Sequence, residues 1–179
     1  MKEFIKTVFD KTVESYERFL GRYYPTHGSN GFTERNLTFN FSHNYLCENN
    51  NAFIWQEVPL GDREHFDTLI IDDQHKSILC IEAKRLGTDA KQKSIKTDLG
   101  RIFSFAEEIR KKIDESYAVY AVLLVDIWIP KKNGGKKQNM LDGFEAMENR
   151  EAYISAPIQE EKPLSEKETY QIALKVIKC

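Results

Sequence analysis

Asp67, Glu82 and Lys84 have the side-chain types and the spacing to hold a divalent cation beside a reacting phosphate. The segment HFDTLII at 65–71 is separated from ILCIEAK at 78–84 by Asp72 to Lys76, a polar run suited to a tight turn. Folded as a hairpin about Gln74 and His75, the two segments pair residues whose numbers sum to 149, which sets Asp67 opposite Glu82. Residues two apart on a strand share a face, so Lys84 joins them. Leu69, Ile71, Ile78 and Cys80 fall on that same face, and Thr68, Ile70, Leu79, Ile81 and Ala83 on the other. Charges gathered at one end of a hairpin that is otherwise apolar need compensation. Mg²⁺ or Mn²⁺ held by the two carboxylates would supply it, because these cations prefer oxygen ligands. The charge of Lys84 beside a water on that cation would stabilise hydroxide or a pentacovalent phosphate. The bland alternative is a cross-strand ion pair worth under about 1 kcal/mol.

The flanking sequence supplies the elements that must position these residues. Phe4, Ile5, Val8, Phe9, Val13, Tyr16, Phe19 and Leu20 recur at helical spacing over 2–20, with Gly21 as a stop. A turn-rich stretch runs from 23 to 31. Thr33 then caps a second helix carrying Leu37, Phe41 and Tyr45 on one face, ended by Asn49 to Asn51. Strands are expected at 53–59, 66–71 and 77–83. Ile95, Leu99, Ile102, Phe103, Ala106, Ile109 and Ile113 mark a long amphipathic helix. Tyr117 to Ile129 is apolar apart from Asp126 and reads as a central strand covered on both faces. Pro130 ends it, and KKNGGKKQN reads as a flexible basic loop. Residues 152–158 look strand-like; over 169–177 a strand alternation competes with a capping box at Ser165 and Glu168, and the strand is preferred. The order predicts an α/β fold, a central mixed β-sheet flanked by helices.

HFDTLII followed by ILCIEAK, set in the succession helix, strands, motif, helix, strand over about residues 30–130, resembles the core of the PD-(D/E)xK (restriction-endonuclease-like) nuclease superfamily. The resemblance implies that Asp67 and Glu82 hold the metal, with the backbone carbonyl of Ala83 as a further ligand, and that Lys84 serves the attacking water. Many members also carry a glutamate on the helix before the core strands, and Glu34 in TERNLTFNF matches that place. A glutamate in a first helical turn is favoured by the helix dipole in any case. Phe66 stands where the family's name-giving proline would be, and the Gln-x-x-x-Tyr signature of the RecB-like branch is not evident. The implied activity is Mg²⁺- or Mn²⁺-dependent hydrolysis of phosphodiester bonds, in DNA rather than RNA. The alternatives are a catalytically inactive binding module on the same fold and an RNA-directed nuclease.

The 179 residues suit one domain, and 41% hydrophobic with 30% charged residues is an ordinary globular balance. A net charge of −2 excludes a polycation, so nucleic acid would need a local basic surface. From Lys84 to Arg101 the net charge is +4, and Lys131, Lys132, Lys136 and Lys137 follow Pro130, whereas Asp142 to Glu168 carries −5. Lys91, Lys93, Lys96, Arg101, Lys131 and Lys132 are the candidate phosphate contacts; a merely solvated face is the competing reading. Asp98 and Arg101 either line the cleft or form a simple i, i+3 pair. Gln56 and Glu57 are weaker candidates, and Phe39, Phe41, Tyr45 and Trp55 are read as core. Cys47, Cys80 and Cys179 fit no zinc spacing and suit a reducing cytoplasm. No signal-peptide core is evident, and the longest apolar run falls short of the about 20 residues that a membrane span needs. Cleavage of both strands by so short a chain would call for a homodimer, with the N-terminal helix as a candidate surface.

Overall fold

The computed structural model describes residues 1–22, 33–59, 65–149, 152–158 and 168–179. The described elements are helices α1 (Lys2–Arg22) and α2 (Glu34–Glu48), strands β1 (Phe53–Pro59), β2 (His65–Asp72) and β3 (Ser77–Arg85), helix α3 (Asp89–Ile113), strand β4 (Ala118–Pro130), helix α4 (Gly135–Glu145) with a 3₁₀ turn at Met147–Asn149, and strands β5 (Ala152–Ile154) and β6 (Glu168–Lys178). The strands form a six-stranded sheet in the order β1-β2-β3-β4-β6-β5. The β3–β4 pair is parallel and the others are antiparallel. The sheet is therefore mixed, and α3 makes the long crossover that a parallel pair requires. None of the described helices is long and apolar enough to cross a membrane.

Strand alternation divides the core in two. Leu69, Ile78, Cys80, Ala121, Leu123, Val125 and Ile127 face α3 and α4 and pack with Ile95, Leu99, Ile102, Met140, Leu141 and Phe144. Ile70, Leu79, Ile81, Ala83, Val122 and Leu124 face α1 and α2 and pack with Ile5, Val8, Phe9, Leu37, Phe41 and Tyr45. Each layer hides the apolar stripe of its helices, which is why β3 and β4 are apolar on both faces. The stripe of α1 is turned onto the sheet, with Ile5, Val8, Phe9, Tyr16 and Leu20 all buried.

Three expectations need correcting. The stretch after Pro130 is a turn only as far as Gly134, and Gly135 to Asn139 open α4, whose buried Met140, Leu141 and Phe144 hold it to the sheet. Strand pairing in 152–158 is confined to Ala152–Ile154 and a bridge from Ile158 to Tyr170. Phe39 and Trp55 are exposed, at 63% and 46%, rather than in the core, whereas Phe41 and Tyr45 are buried as expected. The preference for a strand at the C-terminus holds, because β6 pairs with β4 from Tyr120↔Lys178 to Pro130↔Glu168 and buries Ile172, Leu174 and Val176. Ser165 and the turn-rich stretch at 23–31 lie outside the described residues.

The end of β3 is clamped from the α1/α2 face by a buried ion pair. Asp126, which interrupts the apolar run of β4, lies beside Arg85 in the parallel register. Its carboxylate accepts from the Arg85 guanidinium at 2.6 Å and from the Tyr170 hydroxyl at 3.0 Å. The main chain adds a bond from Leu86 N to Asp126 O at 2.8 Å. Burial still raises the Asp126 pKa, although Arg85 and Tyr170 oppose that shift. Removing one partner of a buried pair strands the other's charge, so Asp126→Ala is expected to cost about 3–5 kcal/mol. Urea unfolding should show a lower midpoint with an unchanged slope; an unchanged midpoint would mean that the pair does not hold the strand.

Candidate functional site

The hairpin has the register read from the sequence, with Thr68↔Ile81 through Asp72↔Ser77 paired about the turn. Asp72 builds that turn by accepting the His75 amide at 2.8 Å and the Tyr45 hydroxyl. These hydrogen bonds outweigh burial and lower its pKa. At the open end the Asp67 carboxylate accepts the backbone N–H of Ala83 at 2.8 Å, which ties β2 to β3 beside Glu82.

Glu82 and Lys84 project to the α3 face, as the alternation of β3 requires. Lys84 Nζ lies 3.5 Å from Glu82 Oε2 and 3.4 Å from Asp98 Oδ2. Arg101, one helical turn beyond Asp98, donates from Nη2 to Glu82 at 2.5 Å and to Asp98 at 3.0 Å. The crevice beside Glu82, Lys84, Ile95 and Asp98 has no room for a water molecule. Glu82 is 2% exposed.

These surroundings disfavour the Glu82 anion. Burial, reinforced by the negative charges of Asp67 and Asp98, raises its pKa to about 7 even though Lys84 and Arg101 pull the other way. Burial alone would lower the pKa of Lys84, but Asp98, Glu82, Asp67 and Glu34 overcome that and raise it. The amine is consequently held as a cation. Asp67, Glu82 and Asp98 carry more negative charge than Lys84 and Arg101 neutralise.

Glu34 reaches the same end of the sheet from the first turn of α2. Its Oε1 accepts the Arg85 amide at 2.9 Å and lies 3.3 Å from Lys91 Nζ. The helix start is fixed by Thr33, whose amide and hydroxyl both donate to Asn36 Oδ1, at 2.8 and 3.0 Å. Glu34 thus braces the ends of β3 and α3 rather than joining the Glu82 cluster. Ala83 is buried on the α1/α2 side, its amide taken by Asp67.

Gln56 turns to the other face, accepting from Thr68 at 2.8 Å and donating to Ser42 at 3.3 Å. Glu57 lies across from Asp67 between the pairs Gln56↔Thr68 and Val58↔Phe66. A regular strand would set it on the site face. Its φ of 53° instead turns it to Arg35 at 3.2 Å and His65 at 3.0 Å. Asp98 is the residue that the sequence reading left between two meanings. It is both the i, i+3 partner of Arg101 and a wall of the site, and the available signal was an acid on the buried stripe of Ile95, Leu99 and Ile102.

The candidate phosphate contacts divide in two. Lys93, Lys96, Lys131 and Lys132 are exposed and have no ion-pair partner among the described residues, whereas Lys91 is held by Glu34 and Arg101 by Glu82 and Asp98. Lys136 pairs with Asp89 at 3.2 Å, and Lys137 donates to the Gly87 carbonyl at 2.5 Å, so both serve to dock α4. Because β4 runs parallel to β3, the turn with Lys131 and Lys132 projects beyond the same sheet end as Lys84.

The donor chemistry at Asp67 and Glu82 fits a hard divalent cation, since both supply carboxylate oxygen and the Glu82 charge is under-compensated. Among the described residues, however, no three His, Cys, Asp or Glu side chains converge as a ready-made metal site. A carboxyl with a raised folded-state pKa costs stability when ionised. The cost is present above about pH 7 and vanishes as the pH falls through the unfolded value of 4.5. The isostere Glu82→Gln is therefore expected to be more stable than wild type near pH 8, by about 1–3 kcal/mol. Melting curves should show that gap closing towards about pH 4.5. A gap that does not change with pH would show that burial of the anion is not its cause.

Comparison with protein-family models, with curated proteins and with solved structures found no match, so the functional reading rests on this arrangement of side chains.

Proposed function

We propose that the chain is a divalent-cation-dependent nuclease with a restriction-endonuclease-like core, which hydrolyses phosphodiester bonds in DNA. The observation that carries the reading is the convergence of Asp67, Glu82 and Lys84 at one sheet end, with the lysine amine 3.5 Å from Glu82 and raised in pKa. A permanent cation beside two carboxylates suits a reaction in which negative charge builds up on a phosphoryl group.

Asp67 and Glu82 are the residues that would hold Mg²⁺ or Mn²⁺, which when bound polarises a phosphoryl oxygen and lowers the pKa of water. Lys84 stays protonated, so its part is to orient the attacking water and to stabilise charge rather than to remove a proton. Asp98 and the Arg85–Asp126 pair hold Lys84 and the strand end in place from opposite faces. Glu34 assists by fixing α2, β3 and the start of α3 in one frame. Lys93, Lys96, Lys131 and Lys132 would meet the nucleic-acid backbone as sequence-independent phosphate contacts.

One observation favours a second reading. Glu82 and Asp98 are occupied by Lys84 and Arg101, and no ready-made three-residue metal group exists among the described residues. That suits a catalytically inactive binding module on the same fold.

Supercoiled plasmid separates the two. Nicking that requires Mg²⁺ or Mn²⁺ is expected, with a loss of at least about 100-fold in Asp67→Ala and in Lys84→Ala. Circular dichroism should confirm that both variants fold. Undiminished cutting by both variants refutes the site assignment, and a wild-type chain that neither cuts nor takes up cation supports the binding module. Running single-stranded RNA beside the plasmid tests the preference for DNA.

A further inference from the structure

The feature that sets this site apart is the arginine lodged in it. Arg101 Nη2 contacts Glu82 Oε1 and Asp98 Oδ1 together, so the guanidinium lies between two carboxylates. Glu82 has its other oxygen towards Lys84 at 3.5 Å and is 2% exposed. Access to Glu82 Oε1 is thus closed by a side chain of the chain itself.

We propose that Arg101 is a displaceable internal counter-ion that occupies the cation's place on Glu82 and limits the affinity of the free protein for divalent metal. The inference rests on the nuclease reading above and names what regulates the same site.

Two observations make the contact one that can be exchanged. First, Arg101 Nε is buried without a hydrogen-bond partner, so the closed position leaves one donor of the fork unsatisfied. A buried donor without a partner has lost its water and gained nothing in return. Second, Asp98 lies three residues before Arg101 on the same helix and already accepts from it at 3.0 Å. When Glu82 is released, the guanidinium keeps that partner and is not left as a bare charge. Lys84 needs no such movement, because it is pinned between Glu82 and Asp98 and is the positive group that the proposed chemistry requires.

The test is calorimetric titration of the full chain with MnCl₂ near pH 7.5, in wild type, Arg101→Gln, Arg101→Lys and Asp67→Ala. Arg101→Gln is expected to bind Mn²⁺ about 10-fold or more tightly than wild type. Arg101→Lys keeps the charge but cannot span both carboxylates with one ammonium, and is expected to tighten binding by roughly threefold. Asp67→Ala should abolish binding. If Arg101→Gln binds no more tightly than wild type while Asp67→Ala still abolishes binding, the counter-ion role is overturned and the nuclease reading stands. If Arg101→Lys equals wild type while Arg101→Gln tightens, the effect is one of charge alone and occupation of the site is overturned. If no variant binds Mn²⁺ and the wild type does not cut, both this inference and the nuclease reading fail. Should Arg101→Gln not fold, the Arg101→Lys comparison decides.

Discussion

A carboxylate buried on the α3 face of the sheet is the constraint around which this end of the molecule is organised. Glu82 sits where the alternation of β3 calls for an apolar residue, directly after Cys80 on a face packed by Ile95, Leu99 and Ile102. A lone buried anion at such a place would protonate or open the structure. The fold answers with two cations from different elements, Lys84 two residues along the strand and Arg101 from the helix. Burial, with Asp67 and Asp98 adding negative charge nearby, outweighs these cations and raises the Glu82 pKa to about 7. An incompletely compensated buried acid is a poor stabilising device and a good place to attract a cation.

The opposite face of β3 carries the mirror problem with a different solution. Arg85 points away from Glu82 and meets Asp126, Tyr170 closes the pair, and Tyr16 stacks on Tyr170 with ring centroids 5.8 Å apart. This group is closed and well hydrogen-bonded, and it uses the aromatic residues of α1 and β6. Charges on successive residues of one strand end are therefore sorted by the pleat into a closed ion pair and an under-compensated charge cluster. Glu34 takes the Arg85 amide on one side and Lys91 on the other, which ties this strand end to the start of α3. The strand end is held by main chain and side chains from α2, α3 and β4 together. That is the rigidity a preorganised charge cluster demands.

What the sequence disclosed depended on how local the determinant was. The hairpin register follows from pattern and turn composition alone, so Asp67, Glu82 and Lys84 could be brought together on paper. The helical stripes of α1, α2 and α3 and the two-faced strand β4 follow from apolar period. The failures arise where tertiary partners decide. The glycines and lysines after Pro130 look like a loop, yet Met140, Leu141 and Phe144 dock them as a helix, and Lys137 ties that helix to the Gly87 carbonyl. Trp55 lies on edge strand β1 and is 46% exposed, so an aromatic in a strand pattern does not guarantee burial. Glu57 shows the same limit in the backbone: its place across from Asp67 follows from register, but the positive φ that turns it to Arg35 and His65 has no signal in the strand pattern. Arg101 was legible as a basic residue near the site but not as a partner of Glu82, because that contact depends on how α3 lies against β3.

The distribution of positive charge bears on how such a centre could meet a polyanion while the whole chain carries −2. Counting lysines in the sequence overstates the surface available. Lys91, Lys136 and Lys137 are engaged in holding α2, α3 and α4 together. What remains is a pair of positions on the first turns of α3 and a pair at the end of β4, on either side of the strand end that carries Lys84. With so few free cations, electrostatic attraction to a phosphate chain would be modest and readily screened by salt. A binding mode built on it must draw its orientation from the site itself. The groups that could give direction are the ammonium of Lys84, a point charge, and the guanidinium of Arg101, a planar fork held by Glu82 and Asp98. Both lean on Asp98, so that aspartate fixes where the two cations stand beside Glu82.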